Sequence, residues 1–338
     1  MQASYVGILT GDSLRGTFTQ MGRATRLSLG RVAALPGAPI MTAPTEPTYP
    51  ARLALDDSIH RLLAHRVDDL HRARGIVVAI LEPGGARRVV TFGVNDPSDA
   101  RALDGNTVFE IGSNTKVFTS LVLADMVRRG ELRLDDPVDK YLPDLKIPAH
   151  NGHAIRLVDL AMHTSGLPRV PTNMPMANPR DPYADYTRDR LRAFLGSYAL
   201  PRDPGAQYEY SNLGAGLLGD ALAHRAGTDY ETLVRTRVLG PLGLHDTRVT
   251  MADMLATRRS VAGPVLQVGL GWHTVSRVGH ELVFHSGETG GFASFMGYDR
   301  QRQIAIVVWS NAAMPEAIDD LGLFLLAGGG SLYAGTAP

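Results

Sequence analysis

Phe109-Glu110-Ile111-Gly112-Ser113-Asn114-Thr115-Lys116 sets a serine and a lysine three residues apart, just ahead of an apolar-periodic stretch. Of the chain's 34 basic residues only three are lysine: Lys116, Lys140 and Lys146. Arg and Lys share a charge, but only Lys can lose its proton inside a protein and act as a base. At a helix start, residues i and i+3 share a face, so Ser-x-x-Lys holds a hydroxyl and an amine within reach of proton transfer. Gly112 permits a tight entry turn and close approach of a ligand. A serine at a helix start also has a backbone N–H to offer an oxyanion. The combination points to an acyl-transferring serine hydrolase. Taken alone, the pair reads equally as a helix whose first turn happens to hold Ser and Lys.

Two further stretches keep it company. Tyr208-Glu209-Tyr210-Ser211-Asn212 supplies a phenol that can relay protons beside an ammonium, and an amide that can hold a substrate carbonyl. The plainer reading is an aromatic loop before a helix, with Asn212 as its N-cap. Phe284-His285-Ser286-Gly287-Glu288 ends a β-prone run, and a strand ending in a small residue plus Gly lets its edge approach an acyl group. The N–H of Glu288 is then a second oxyanion donor. His285 is read equally as a satisfied histidine on a strand.

The bulk numbers set limits. At 338 residues the chain suits one large domain or two intergrown lobes, and 44% hydrophobic with 20% charged residues is ordinary for a globular protein. A formal net charge of +0 gives no electrostatic case for nucleic acid or an anionic membrane surface. Cysteine is absent, which removes disulfides, thiolate metal sites and a cysteine nucleophile together. No apolar run reaches the roughly 18 residues of a membrane span. Met1-Gln2-Ala3-Ser4-Tyr5-Val6 lacks the basic and apolar regions of a signal peptide, so the product is cytoplasmic as written, and periplasmic or secreted if further sequence precedes it.

Along the chain, residues 4–33 alternate in the β manner, with turns at Gly11-Asp12 and Gly22. Residues 35–50 form a Pro-rich linker. The main domain, 51–327, is expected to open with a helix at 52–73 and a hairpin of strands at 76–81 and 87–92. A helix over 117–127 ends at Gly130. An inserted, mostly helical lobe occupies about 132–262, with helices near 187–195, 213–225 and 230–238. Strands return at 270–275, 281–285, 293–298 and 303–309, followed by a helix at 315–326 and a flexible Gly-rich tail at 328–338. The order predicts an α+β sandwich: an antiparallel sheet flanked by helices.

Ser113-x-x-Lys116, Tyr210-x-Asn212 and His285-x-Gly287, in that order, resemble the serine β-lactamase/penicillin-binding protein superfamily, in the variant of its class C-like branch. That branch includes D-alanyl-D-alanine carboxypeptidases, D-stereospecific aminopeptidases and β-lactamase-like esterases. Gly130-Glu131-Leu132-Arg133-Leu134-Asp135-Asp136-Pro137, His163-Thr164-Ser165-Gly166-Leu167-Pro168 and Pro241-Leu242-Gly243-Leu244-His245-Asp246-Thr247 extend the likeness over about 53–326. The resemblance implies a β-lactamase/transpeptidase-like fold. It makes Ser113 the nucleophile, Lys116 and Tyr210 the base system, and the N–H groups of Ser113 and Glu288 the oxyanion hole. Asn212, His285, Ser286 and Gly287 would contact the substrate, a small molecule or a peptidoglycan-type peptide. No metal or organic cofactor is implied, and oligomeric state is left open. Residues 1–34 resemble a remnant of a small β-barrel module. The stretch from 246 to 269 is shorter than in relatives, as though a helix and a strand were missing.

A peptidase or esterase is favoured over a class C-type β-lactamase, because His285 and Ser286 stand where Lys-Thr would anchor a β-lactam carboxylate. The rival of another class is a non-catalytic peptidoglycan or β-lactam binder. An α/β-hydrolase is excluded by the lack of Gly-x-Ser-x-Gly. His280-Glu281-Leu282-Val283-Phe284-His285 is one residue too long for a zinc-peptidase motif.

Overall fold

The computed structural model describes residues 3–10, 13–20, 23–30, 55–95, 102–107, 109–175, 185–240, 259–262, 266–277, 280–312 and 315–327. It divides into two units, Met1–Thr48 and Tyr49–Pro338. In the first, β1 (Ala3–Thr10), β2 (Ser13–Gln20) and β3 (Arg23–Gly30) form an antiparallel meander. The linker at 35–50, the stretch 241–247, most of 246–269 and the tail at 328–338 lie outside the described residues.

The second unit is built on an antiparallel sheet. Its strands are β4 (Gly75–Leu81), β5 (Arg87–Gly93), β8 (Arg259–Ala262), β9 (Leu266–Val268), β10 (His273–Arg277), β11 (His280–Glu288), β12 (Ala293–Asp299) and β13 (Ile304–Ser310). They lie in the order β5-β4-β13-β12-β11-β10-β9-β8. The apolar run of β4, Ile76 to Ile80, fits a strand covered on both faces. β13 alternates strictly between buried and half-buried positions, as the period of two requires.

One face of the sheet carries α1 (Asp56–Ala64) and α7 (Pro315–Leu326). Ile59 and Leu63 of α1 and Ile318, Leu321 and Leu325 of α7 close over Ile76, Val78, Phe295, Ile306 and Val308. The other face receives α2 (Thr115–Arg128) through Val117, Ala124, Trp272 and Val283. Its remaining apolar positions, Val122, Leu123 and Met126, enter the core of the lobe with Leu142, Ile155, Leu160 and Leu217. A helix apolar on all sides is a buried helix, and α2 joins sheet and lobe.

The lobe contains the short pair β6 (Ala149–His150) and β7 (His153–Ala154) and the helices α3 (Leu157–Ala161), α4 (Arg188–Ser197), α5 (Asn212–Ala226) and α6 (Tyr230–Val234). Local chemistry fixes their ends. The side chains of Thr187, Ser211 and Asp229 accept the backbone N–H of Arg190, Gly214 and Thr232. Gly227, at φ 68°, ends α5 in the left-handed conformation.

Four expectations are corrected. The first helix ends at Ala64 and passes into a wider turn at His65–Asp69, and His71 at φ 49° stops it. Ser211, not Asn212, is the N-cap of α5. The five-residue α3, set by the reciprocal Arg156–Asp159 cap, was not anticipated. The sheet also resumes at Arg259, so residues placed in the lobe or left unassigned form β8 and β9 at its edge.

Phe295 is fully buried, stacks on Phe284 at 5.9 Å and lies against Gly322 of α7, where any Cβ would collide with its ring. Phe295→Ala should cost about 3–5 kcal/mol. Gly322→Ala should cost about 1–3 kcal/mol by overpacking. Denaturant midpoints at unchanged slope check both.

Candidate active site

The site begins as a meeting of two backbones. Gly112 opens a tight turn, Gly112–Asn114, at φ 52°, and leads into α2. A Cβ on Gly112 would sit 2.5 Å from the Glu288 nitrogen. From the other side, a Cβ on Gly287 would sit 2.8 Å from the Ser113 nitrogen and inside the Ile111 carbonyl. Only paired glycines let β11 lie this close to the serine turn. The contact is clamped by Ser294, whose hydroxyl donates to the Ile111 carbonyl at 2.8 Å and accepts from Asn114 Nδ2 at 2.8 Å. Pairing of β10 with β11 stops at His273↔Phe284. Residues 285–288 therefore present an edge that no described strand covers on that side.

One turn into α2, Lys116 Nζ donates to Ser113 Oγ at 2.9 Å. Burial, assisted by the Arg169 guanidinium, lowers the lysine to about 8. Lys116 Nζ lies 5.0 Å from the Tyr210 ring centre, and the Arg169 guanidinium 5.1 Å from it. Tyr210 is gripped from both sides along the chain by one residue, His163. The His163 carbonyl accepts the Glu209 N–H at 2.7 Å, and its Nδ1 accepts the Ser211 N–H at 3.1 Å. Its ring packs on the phenol at 4.4 Å.

Three histidines surround this group, His163 and His285 buried and His273 half-buried, and all are neutral. Burial, with Lys116 next in effect, holds His163 at about 3. Burial alone holds His273 at about 4. His285 is pushed well below its ordinary value by burial, with His273 and Lys116 adding. His285 Nδ1 lies 2.6 Å from the Ser286 carbonyl, which can only accept, so Nδ1 carries the proton. Its Nε2 has no partner among the described residues. Ser286 turns to the opposite face of the sheet and donates to Asp319 of α7 at 3.0 Å. Burial pushes Asp319 up to about 6, with Asp320 and Glu288 adding repulsion.

The structure thus gathers Ser113, Lys116, Tyr210, His285, Gly287 and Glu288 around one turn. Asn212 joins Ser113, Lys116 and Glu288 in lining a cleft of about 1090 Å³ that runs along α5 to Tyr230. Sequence reasoning missed Ser294, the grip of His163 and the placement of Arg169. The last two lie in or beside the His163–Pro168 stretch, which had been singled out by resemblance without a role. Among the described residues no three His, Asp or Glu converge as metal ligands, and no helix is long and apolar enough to cross a membrane.

The model of the Beta-lactamase family matches residues 59–260 and 250–327. The chain belongs to the Beta-lactamase family. It is 33% identical over 119 residues to a beta-lactamase of Escherichia coli K12, covering 35% of this chain and 30% of that protein. It is 36% identical over 98 residues to the D-alanyl-D-alanine-carboxypeptidase/endopeptidase AmpH of the same organism, covering 29% of this chain and 25% of that one. The matched stretches thus span under a third of either relative. In fold it resembles the beta-lactamase/D-alanine carboxypeptidase of Yersinia pestis, with a TM-score of 0.71 at 21% identity over 81% of this chain and 98% of that one. A D-amino acid amidase from Ochrobactrum anthropi superposes with a TM-score of 0.65 at 21% identity over 80% of this chain and 98% of that one. The mixed sheet-and-helix architecture is that of the family.

Two predictions follow from this Beta-lactamase-family site. Gly287→Ala should abolish acylation of Ser113 while the protein remains folded, read by labelling and circular dichroism together. The buried histidines give the second. Unfolding exposes them, and they then take up protons below the ordinary value of 6.5, while the folded values lie near 4 and 3. Stability is therefore kept above about 6.5 and lost progressively as pH falls toward those values. The melting temperature should already drop between pH 6.5 and 5, above the carboxylate range, and His273→Gln should flatten the drop.

Proposed function

We propose that this chain is a serine hydrolase that cleaves ester or D-peptide carbonyls through an acyl-enzyme on Ser113. The observation that carries the reading is the 2.9 Å hydrogen bond from a desolvated Lys116 to Ser113 Oγ, beside a strand edge held against the serine by two glycines. A lysine lowered to about 8 is partly neutral near neutral pH, and the neutral amine can take the serine proton. Oγ then attacks the carbonyl carbon, and the N–H groups of Ser113 and Glu288 receive the developing oxyanion. Lys116, through the neighbouring Tyr210, returns the proton to the leaving group. Water repeats the sequence on the acyl-enzyme and releases the acid.

A peptidase or esterase is favoured over an efficient β-lactamase. A neutral His285 supplies no cation at the third motif, and the Ser286 hydroxyl is engaged by Asp319. AmpH, by its name a D-alanyl-D-alanine carboxypeptidase, supports the peptide arm of the proposal.

Intact-mass analysis after a fluorophosphonate should show one adduct, absent in Ser113→Ala. p-Nitrophenyl butyrate, a D-Ala-D-Ala peptide and nitrocefin assayed together should rank nitrocefin last. Lys116→Arg should lose about 10²–10⁴-fold in kcat/KM, nearly as much as Lys116→Ala, because a guanidinium does not give up its proton. In the wild type, kcat/KM should rise as pH climbs through about 8, where Lys116 becomes neutral. An arginine variant within tenfold of wild type would show that only the charge matters.

A further inference from the structure

From Ser113 and Asn212 the cleft follows α5 as far as Ala223, passing Thr115 and Thr119 of α2. The stretch of helix from Asn212 to Ala223 spans about 16 Å. Tyr230 lines the cleft too and lies on α5 at Gly219, where a Cβ would sit 3.1 Å from its ring. Polar groups along this path are already engaged. The Thr119 hydroxyl donates to the Thr115 carbonyl at 3.1 Å, so the Tyr230 hydroxyl, 2.6 Å away, donates to Thr119. At the far end Arg188 donates to Asp144 at 3.0 Å and to Asp220 at 2.8 Å, and Asp229 accepts from Thr232. Helices keep their backbone groups in their own hydrogen bonds, so this path offers an extended peptide no ladder of partners. An alkyl chain needs none. Gly216 lies midway, exposed on the cleft wall, and a Cβ there would meet nothing within 4 Å. Packing therefore does not account for a glycine in mid-helix, where it weakens the helix relative to alanine. What a side chain would fill at this position is the cleft.

We propose that the cleft along α5 takes a linear alkyl acyl chain, and that Gly216 is the specificity-determining residue that admits it. The proposal deepens the hydrolase reading of Ser113 and rests on it. Ser113, Lys116 and Thr119 follow one another at intervals of three, each further along the cleft wall. With the reacting carbonyl on Ser113, the chain on its carbonyl carbon runs past Thr119 and Gly216 toward Tyr230. The substrate class is an ester of a medium-chain fatty acid, about eight to ten carbons, which the 16 Å path accommodates. Attack by Ser113 Oγ breaks the ester bond and expels the alcohol, which leaves with the serine proton. Water then releases the fatty acid from the acyl-enzyme. The two glycines of this path have different tasks. Gly219 makes room for Tyr230, whereas Gly216 makes room for the substrate.

The test compares p-nitrophenyl octanoate with p-nitrophenyl acetate, which share a leaving group. Wild type should favour octanoate in kcat/KM by at least about tenfold, because each methylene taken from water adds to binding. Gly216→Leu should lower that ratio by about tenfold or more, and Gly216→Ala by less. Leucine in place of an exposed helical glycine favours the helix, so the variant is expected to fold. Gly196→Leu is the control. Gly196 is an exposed glycine of α4 with open space around it, and it does not line the cleft. Its variant should keep the wild-type ratio. A wild-type ratio near one, or a ratio lowered equally by both leucine variants, overturns the proposal. Equilibrium binding of decanoate to the full chain decides it independently of turnover. Affinity at least tenfold weaker in Gly216→Leu than in wild type supports it, whereas equal or absent binding in the two proteins overturns it. Failure of the hydrolase reading looks different: neither ester is cleaved, and fluorophosphonate leaves Ser113 unlabelled.

Discussion

The approach of β11 to the serine turn is the constraint on which the rest of the structure depends. Two glycines from distant parts of the chain make it possible: Gly112 lies against the Glu288 backbone and Gly287 against the backbone of Ile111 and Ser113, each at a separation that no side chain would permit. Backbone glycine is conformationally expensive to order, so the contact needs support from its surroundings. Ser294 on β12 supplies some of it through two hydrogen bonds from a single hydroxyl. The sheet supplies more, since β12 is itself fixed between β11 and β13 and pinned from behind by α7 on Phe295. α2 completes the frame, because its burial against both cores leaves the serine turn no room to shift. A chemical site of a few atoms is thus held by the register of the whole sheet.

The electrostatics obey a similar economy. Burial is the leading cause of the depressed values of Lys116, His163, His273 and His285 alike. Desolvation disfavours the charged form of every base, and in the imidazoles it goes to completion. The lysine stops near neutrality, where it can exist in both forms. The neutral histidines then serve geometry: His163 holds the backbone on both sides of Tyr210, and His273 meets the Tyr208 hydroxyl at 3.4 Å. Positive charge around the phenol is left to Lys116 and Arg169.

The parts of the fold legible in the sequence are those specified by local pattern. The β4–β5 hairpin, α2, α5, the strands from β11 onward and α7 each carry a period or a turn that a short window reveals, and the observed boundaries fall within a few residues of expectation. The parts that were not legible are specified at long range. β8 and β9 are three or four residues long and are strands only because β10 offers an edge to β9, and β9 in turn to β8. α3 has five residues and depends on a reciprocal cap. Ser294 looks like any strand serine until the Ile111 carbonyl, 183 residues away in sequence, arrives beside it. The motif residues could be gathered in advance, because Ser-x-x-Lys, Tyr-x-Asn and His-x-Gly each encode a local geometry. Arg169 could not, since only the fold brings its guanidinium to the Tyr210 ring.

This also gives physical sense to the chain's uneven use of its two basic residues. A proton acceptor must be able to shed its charge, and burial beside Arg169 brings Lys116 to about 8 for that purpose. Above that value Lys116 is neutral, whereas Arg169 keeps its charge beside the same ring. Set against one aromatic ring, the two residues therefore differ in the one property that separates Lys from Arg: only Lys116 can change its charge there.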